Sequence, residues 1–317
     1  MSQFVLQTNS LTKQYGKQRA VSDVSIHVKK GAIYGLIGKN GAGKTTLMKM
    51  VSGIANPTSG EITLFGKEFN ENELNIGRIG VLIENPGVYG NMTAFENLKL
   101  KAIGIGVYKK QSVDKILELV GLADAGKKKT KNFSLGMKQR LGIGLALIGN
   151  PDLLILDEPI NGLDPQGIIE IRELIRRLNS EWNMTIMISS HILEELSKLV
   201  TDYGIIDKGQ LLLEVSAEEL NRKCARKVEL MTPDVKGAAF ALEENGFSNY
   251  QVMNDTTIHI FHETERIGEI NKILVMKDIP VSELRVNNET LEEFFLKMTK
   301  GGKRNAESYQ NECLSID

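Results

Sequence analysis

The chain has 317 residues, 25% of them charged and 41% hydrophobic; this excludes a disordered or fibrous protein and leaves room for two domains. A net charge of −1 offers no bulk positive field for nucleic acid, so no nucleic-acid partner is expected. The two cysteines, Cys224 and Cys313, form no CxxC pair, which argues against a disulfide framework or a zinc site and fits a reducing cytosol.

The first residues, MSQFVLQTNS, lack the basic and apolar regions of a signal peptide. Residues 4 to 65 read as strand-rich, with short apolar or β-branched runs at 4–6, 24–28, 32–37 and 61–65 and one helix from Leu47 to Val51. A further strand is expected at 79–83, followed by the turn Glu84-Asn85-Pro86-Gly87. From about 93 to 149 the pattern becomes helical. Thr93 with Glu96 forms a capping box, 112–120 carries apolar residues at helical spacing, and Ser134 can cap a helix running to Leu147. The apolar stretch Leu141–Gly149 is too short to span a bilayer, which takes ~20 residues, so work at a membrane would need docking on another chain.

The run 153–157 reads as a fully buried strand that ends in acid. A helix from Pro165 to about Trp182 and a buried strand at 185–189 follow, and strands alternating with crossover helices indicate an α/β parallel core. Beyond about Asn221, strands at 228–230, 250–253, 258–261 and 281–286 and helices at 235–245 and 267–275 give the split βαβ order. A closing amphipathic helix is expected at 289–295 and a polar, disordered tail over 301–317.

The sharpest chemical signal is Gly38-Lys39-Asn40-Gly41-Ala42-Gly43-Lys44-Thr45-Thr46, set between an apolar strand and a helix. That context makes it a phosphate-binding P-loop. Glycines let backbone N–H groups converge on phosphate oxygens, and the helix N-terminus adds its positive dipole end. Lys44 can reach the β- and γ-phosphates, and the Thr45 hydroxyl can ligate Mg²⁺. The chain is therefore expected to bind a nucleoside triphosphate. Leu153-Leu154-Ile155-Leu156-Asp157-Glu158-Pro159 is a Walker B pattern. Its strand is expected beside the P-loop strand and delivers two carboxylates at its C-terminal end. Asp157 can hold Mg²⁺, and Glu158 is suited to orient or deprotonate the attacking water.

Asn132-Phe133-Ser134-Leu135-Gly136-Met137-Lys138-Gln139-Arg140 precedes Walker B, and here the chain resembles ATP-binding-cassette (ABC) ATPases. Their signature reads LSGGQ; Ser134 and Gly136 are retained, while Phe133, Leu135 and Met137 depart from it. The resemblance covers about residues 3 to 220. It implies a P-loop (RecA-like) α/β core with an antiparallel β subdomain and a helical insertion, leaving 221–300 as a small α+β domain. It implies a homodimer in which Ser134 and Gly136 face the γ-phosphate bound by the other copy, with Asp164, in Asn161-Gly162-Leu163-Asp164-Pro165, on the loop that crosses it. Tyr15 matches the aromatic that stacks on adenine, and His191 the switch histidine at the γ-phosphate.

Glu84 stands where such ATPases usually carry glutamine, and its carboxylate is expected to ligate Mg²⁺ or act on the attacking water. With Phe133-Ser134-Leu135-Gly136-Met137 it resembles the ATP-binding subunits of bacitracin- and lantibiotic-resistance exporters. That subgroup implies an ATPase held on the cytoplasmic face of the membrane by an integral membrane permease. The alternative is a soluble ABC ATPase of DNA repair or translation-factor type. The first would need a coiled coil or basic surface and the second a second cassette, and neither is seen. Lys127-Lys128-Lys129-Thr130-Lys131 reads as a solvated loop.

Overall fold

The computed structural model describes residues 3–69, 77–223, 227–261, 263–287, 291–296 and 298–299. Packing divides the chain into two compact units, one built on Met1–Ala217 and the other on Glu218–Lys297. The elements of the first are β1 (Phe4–Tyr15), β2 (Gln18–Val24), β3 (His27–Lys29), β4 (Ile33–Ile37), α1 (Lys44–Val51), β5 (Ser59–Leu64), β6 (Lys67–Glu68) and β7 (Ile79–Leu82). Then come α2 (Ala94–Gly104), α3 (Lys110–Leu119), α4 (Leu135–Leu147), β8 (Leu153–Leu156), α5 (Pro165–Trp182), β9 (Thr185–Ser190), α6 (Leu193–Ser197), β10 (Asp202–Asp207) and β11 (Gln210–Ser216). The helix α7 (Ala217–Lys223) follows and, from Glu218 on, belongs to the second unit.

Two sheets carry this unit. In the antiparallel one β1 pairs with β2, β3 and β5, and β6 adds to β5. The other has the order β11-β10-β4-β9-β8-β7, parallel throughout except for the β10–β11 hairpin. Its central strands β4, β8 and β9 are buried at every position, which is why they read as unbroken apolar runs rather than as alternating ones. Leu36, Leu47, Leu153, Ile155 and Met187 are fully buried here.

The expected strand at 24–28 is in fact two. The Thr8 hydroxyl donates to the Val24 carbonyl at 2.9 Å and accepts from the Ile26 N–H at 3.0 Å. A side chain thus takes the place of ladder partners, and the chain breaks between β2 and β3. Walker B strand β8 does not lie beside P-loop strand β4, because β9 runs between them, with Leu36 opposite Ser189 and Leu156 opposite Ile188. The three strands still deliver their C-terminal ends to one edge, where open α/β sheets hold ligands.

The helical segment begins on the capping box read from sequence. Thr93 Oγ1 accepts from the Glu96 N–H at 3.2 Å and Glu96 Oε2 from the Thr93 N–H at 2.6 Å. Lys129 also pairs with Glu96 at 3.1 Å and Lys128 lies over the Phe133 ring, so two lysines of the basic run have partners rather than solvent alone.

The second unit comprises β12 (Lys227–Met231), α8 (Val235–Glu244), β13 (Tyr250–Asn254), β14 (Thr257–Phe261), α9 (Ile267–Met276) and β15 (Glu283–Asn287). The sheet order β13-β14-β12-β15, antiparallel throughout, is the split βαβ arrangement. Val228, Leu230, Ile258 and Ile260 of the sheet pack with Ala241, Leu242, Ile270 and Leu274 of the helices. Residues 291–296 are helical, where a closing helix was expected. The expected tail at 301–317 and both cysteines lie outside the described residues. Among the described residues no helix is long and apolar enough to cross a membrane.

Candidate nucleotide site

The loop 38–43 leaves β4 and enters α1 with Gly41 at φ 80° and Gly43 at φ 107°, backbone states that L side chains rarely adopt. A Cβ on Gly43 would stand 2.6 Å from the Ala20 carbonyl, and one on Gly38 2.5 Å from that of Ile206. Both positions therefore exclude a side chain sterically. Lys39, Asn40 and Gly41 are exposed at the tip, Ala42 is buried, and Thr46 is half-buried in the first turn of α1.

Lys44 is only 5% exposed. Its ammonium donates to the Gly38 carbonyl at 2.6 Å and the Lys39 carbonyl at 3.3 Å, and lies 3.2 Å from Glu158 Oε1. Thr45 Oγ1 donates to Asp157 Oδ2 at 2.7 Å. Ser189 Oγ donates to Asp157 Oδ1 at 2.5 Å and accepts from the Glu158 N–H at 2.9 Å. His191 Nδ1 stands 2.8 Å from Glu158 Oε2. The loops after β4, β8 and β9 thus converge on one cluster of Lys44, Thr45, Asp157, Glu158, Ser189 and His191.

Glu158 adopts φ 49°, in the left-handed region that a glutamate seldom enters. Among the described residues its buried Oε1 has no hydrogen-bond partner beyond the ion-pair contact with Lys44. Buried polar atoms are normally satisfied, so this oxygen has acceptor capacity to spare for a ligand or water. Thr45 and Asp157 bring two hard oxygens within 2.7 Å of each other. That donor set fits Mg²⁺, which takes one or two carboxylates and completes its shell with water and substrate phosphates. Among the described residues no group of three or more His, Cys, Asp or Glu could hold a metal.

Other expected site residues lie apart from this cluster. Glu84, at φ 62° and with its side chain 62% exposed, receives a hydrogen bond from Lys49 Nζ at 2.6 Å; no hydrogen bond or ion pair among the described residues joins it to Thr45 or Asp157. That hydrogen bond is the main reason the Lys49 ammonium holds its proton more tightly than usual. Tyr15, at the end of β1, is 52% exposed beneath Lys13 Nζ. Ser134 Oγ caps α4 by accepting from the Met137 N–H at 3.2 Å, and Asp164 Oδ1 caps α5 by accepting from that of Gly167 at 3.0 Å. Gly136 faces Leu163, and Leu135, half exposed, lies against Gly162, so the signature and the loop before α5 are neighbours.

Sequence reasoning missed Ser189 and Lys49. Two serines closing an apolar strand, and a lysine one helical turn beyond Thr45, were the available signals.

Residues 21–161 match the family model described as "ABC transporter". The bacitracin transport ATP-binding protein BcrA of Bacillus licheniformis is 45% identical over 300 residues, 94% of this chain and 98% of that protein. The chain belongs to the ATP-binding proteins of ABC transporters. The lantibiotic transport ATP-binding protein SrtF of Streptococcus pyogenes is 47% identical over 210 residues, 66% of this chain and 90% of that one. Among solved structures, cbiO1 of Clostridium perfringens, part of the ABC transporter complex cbiONQ, superposes with a TM-score of 0.63 at 26% identity, covering 70% of this chain and 92% of that one. This ABC protein is thus an ATPase, the ATP-binding subunit of a transporter.

Proposed function

We propose that this ABC ATPase powers the export of an antimicrobial peptide or drug through a separate integral membrane permease. The observation that carries this reading is the likeness to BcrA, which runs through both structural units rather than stopping at the cassette. In the mechanism we infer, Lys44 and the loop N–H groups bind the phosphates, and Thr45 and Asp157 hold Mg²⁺. When bound, Mg²⁺ neutralises charge on the β- and γ-phosphates. Glu158 takes a proton from the attacking water, and His191, bonded to its other oxygen, orients it. Tyr15 stacks on adenine. Two copies close head to tail on two ATP molecules, each offering Ser134, Gly136 and Asp164 to the other's nucleotide. Support for a shared face comes from the α4 N-terminus, an anion site in waiting, and from exposed Leu135 beside it.

A groove of about 760 Å³ supports a permease contact. It is lined by Ile54, Leu82, Tyr89, Leu100, Ile105 and Leu145, and Ile54, Tyr89 and Leu100 are exposed. Exposed apolar side chains around a concave surface favour a protein partner. We assign the groove to a helix of the permease. A tagged copy extracted in mild detergent should bring down a polytopic membrane protein; recovery of the chain alone would overturn this reading.

Glu84 lies at the joint between the core and the helical segment, two residues after β7. Its carboxylate reaches Mg²⁺ or the attacking water once nucleotide is bound. Glu84→Ala should therefore lower turnover well beyond any change in nucleotide affinity, and transport at least as much. Glu84→Gln should be milder, since the amide keeps an oxygen of the same reach. Unchanged turnover and an unchanged Mg²⁺ requirement for Glu84→Ala, measured with the permease in place, would make it a solvated turn acid.

A further inference from the structure

Lys49 is a second cation at the edge of the site. It lies one helical turn after Thr45 on α1, with its side chain 30% exposed. Thr45 bonds Asp157, the Asp157 N–H donates to the Leu82 carbonyl at 2.8 Å, and the chain runs two residues from Leu82 to Glu84. The contact of Lys49 with Glu84 closes this circuit: α1, the end of β8 and the end of β7 are tied into a ring in which the Thr45–Asp157 hydrogen bond is one link. Asp157 and Glu84 are two carboxylates just past the ends of adjacent strands β8 and β7, and the Lys49 ammonium is bonded to the second.

We propose that Lys49 is a positioning residue that holds Glu84 in reserve at the rim and competes with the divalent cation for its carboxylate. A carboxylate in place of a neutral amide adds a charge here, and Lys49 is bonded to it. When cation and nucleotide enter, the two oxygens of one carboxylate face two positive partners, and the hydrogen bond from Lys49 to Oε1 weakens what the carboxylate offers the metal. Loosening of that contact is therefore linked to loading of the site.

The inference rests on the reading of Glu84 given above. Its test uses the full chain with a non-hydrolysable ATP analogue and Mn²⁺, read by electron paramagnetic resonance as Mn²⁺ affinity rather than as turnover. Lys49→Met should tighten Mn²⁺ binding roughly two- to five-fold, the range that a partly exposed ion pair is worth. Lys49→Arg, which keeps the pairing, should stay near wild type, and the tightening should vanish in a Glu84→Gln background. If Lys49→Met does not fold, Lys49→Gln makes the same measurement. An unchanged or weakened Mn²⁺ affinity, or a tightening that survives Glu84→Gln, would overturn the proposal. The two readings fail separately. Normal turnover and Mg²⁺ requirement in Glu84→Ala sink the role of Glu84, whereas impaired Glu84→Ala with no tightening in Lys49→Met sinks only that of Lys49.

Discussion

Lys44→Ala should abolish ATP hydrolysis and weaken nucleotide binding roughly 10- to 100-fold, the worth of a charge-assisted hydrogen bond of about 1.5–3 kcal/mol. Lys44 is nearly buried. Its ammonium is kept in place by the Gly38 and Lys39 carbonyls and by Glu158 Oε1. The loop is thus wrapped around the cation that its ligand needs, and binding exchanges part of this shell for phosphate oxygens. Truncation removes the attraction and also leaves the Glu158 carboxylate without its counter-charge, so some loss of stability is expected. Thermal unfolding without nucleotide measures that second effect separately. Fluorescence titration measures the first, and wild-type affinity in a folded Lys44→Ala protein would sink the role given to this lysine.

Residues that carry their meaning locally were legible before the structure. The P-loop needs only its own glycines and the strand before it, and Thr93 with Glu96 closes a box within one turn. Asp157 and Glu158 announce themselves as acids ending an apolar strand. What was hidden depends on pairing between distant segments. That Ser189 bridges Asp157 and the Glu158 backbone follows from β9 lying between β4 and β8, and strand order is not written in any single strand. The Lys49–Glu84 contact joins positions 35 apart through the meeting of α1 with the end of β7. The split of 24–28 into two strands turned on one threonine hydroxyl from β1. The second unit was legible because its alternation of apolar residues matches a sheet with helices on one face, as Val228 and Leu230 against Ala241 and Leu242 illustrate.

Glu158→Gln should keep ATP binding and lose roughly 10²–10⁴ in turnover, the usual worth of a general base. Lys44 and Thr45, which bind phosphate and cation in the proposed mechanism, both remain in the variant. The amide keeps the size of the side chain and can still meet His191 Nδ1, now 2.8 Å from Glu158 Oε2. What disappears is the carboxylate charge, carried on an Oε1 that among the described residues meets only Lys44 and is left open to the attacking water. Losing that charge also relaxes Lys44, so nucleotide affinity should hold or rise while phosphate release collapses. If two copies close on ATP, a cassette that cannot hydrolyse should stay closed. Gel filtration with ATP and Mg²⁺ should then move Glu158→Gln to the dimer position, while the wild type returns to monomer as it turns over. A variant that loses turnover and still elutes only as monomer would leave Glu158 as the base but remove the head-to-tail sandwich from the mechanism. Turnover within a few-fold of wild type would instead shift the proton to another acceptor, for which His191, in contact with the same carboxylate, is the residue to substitute next.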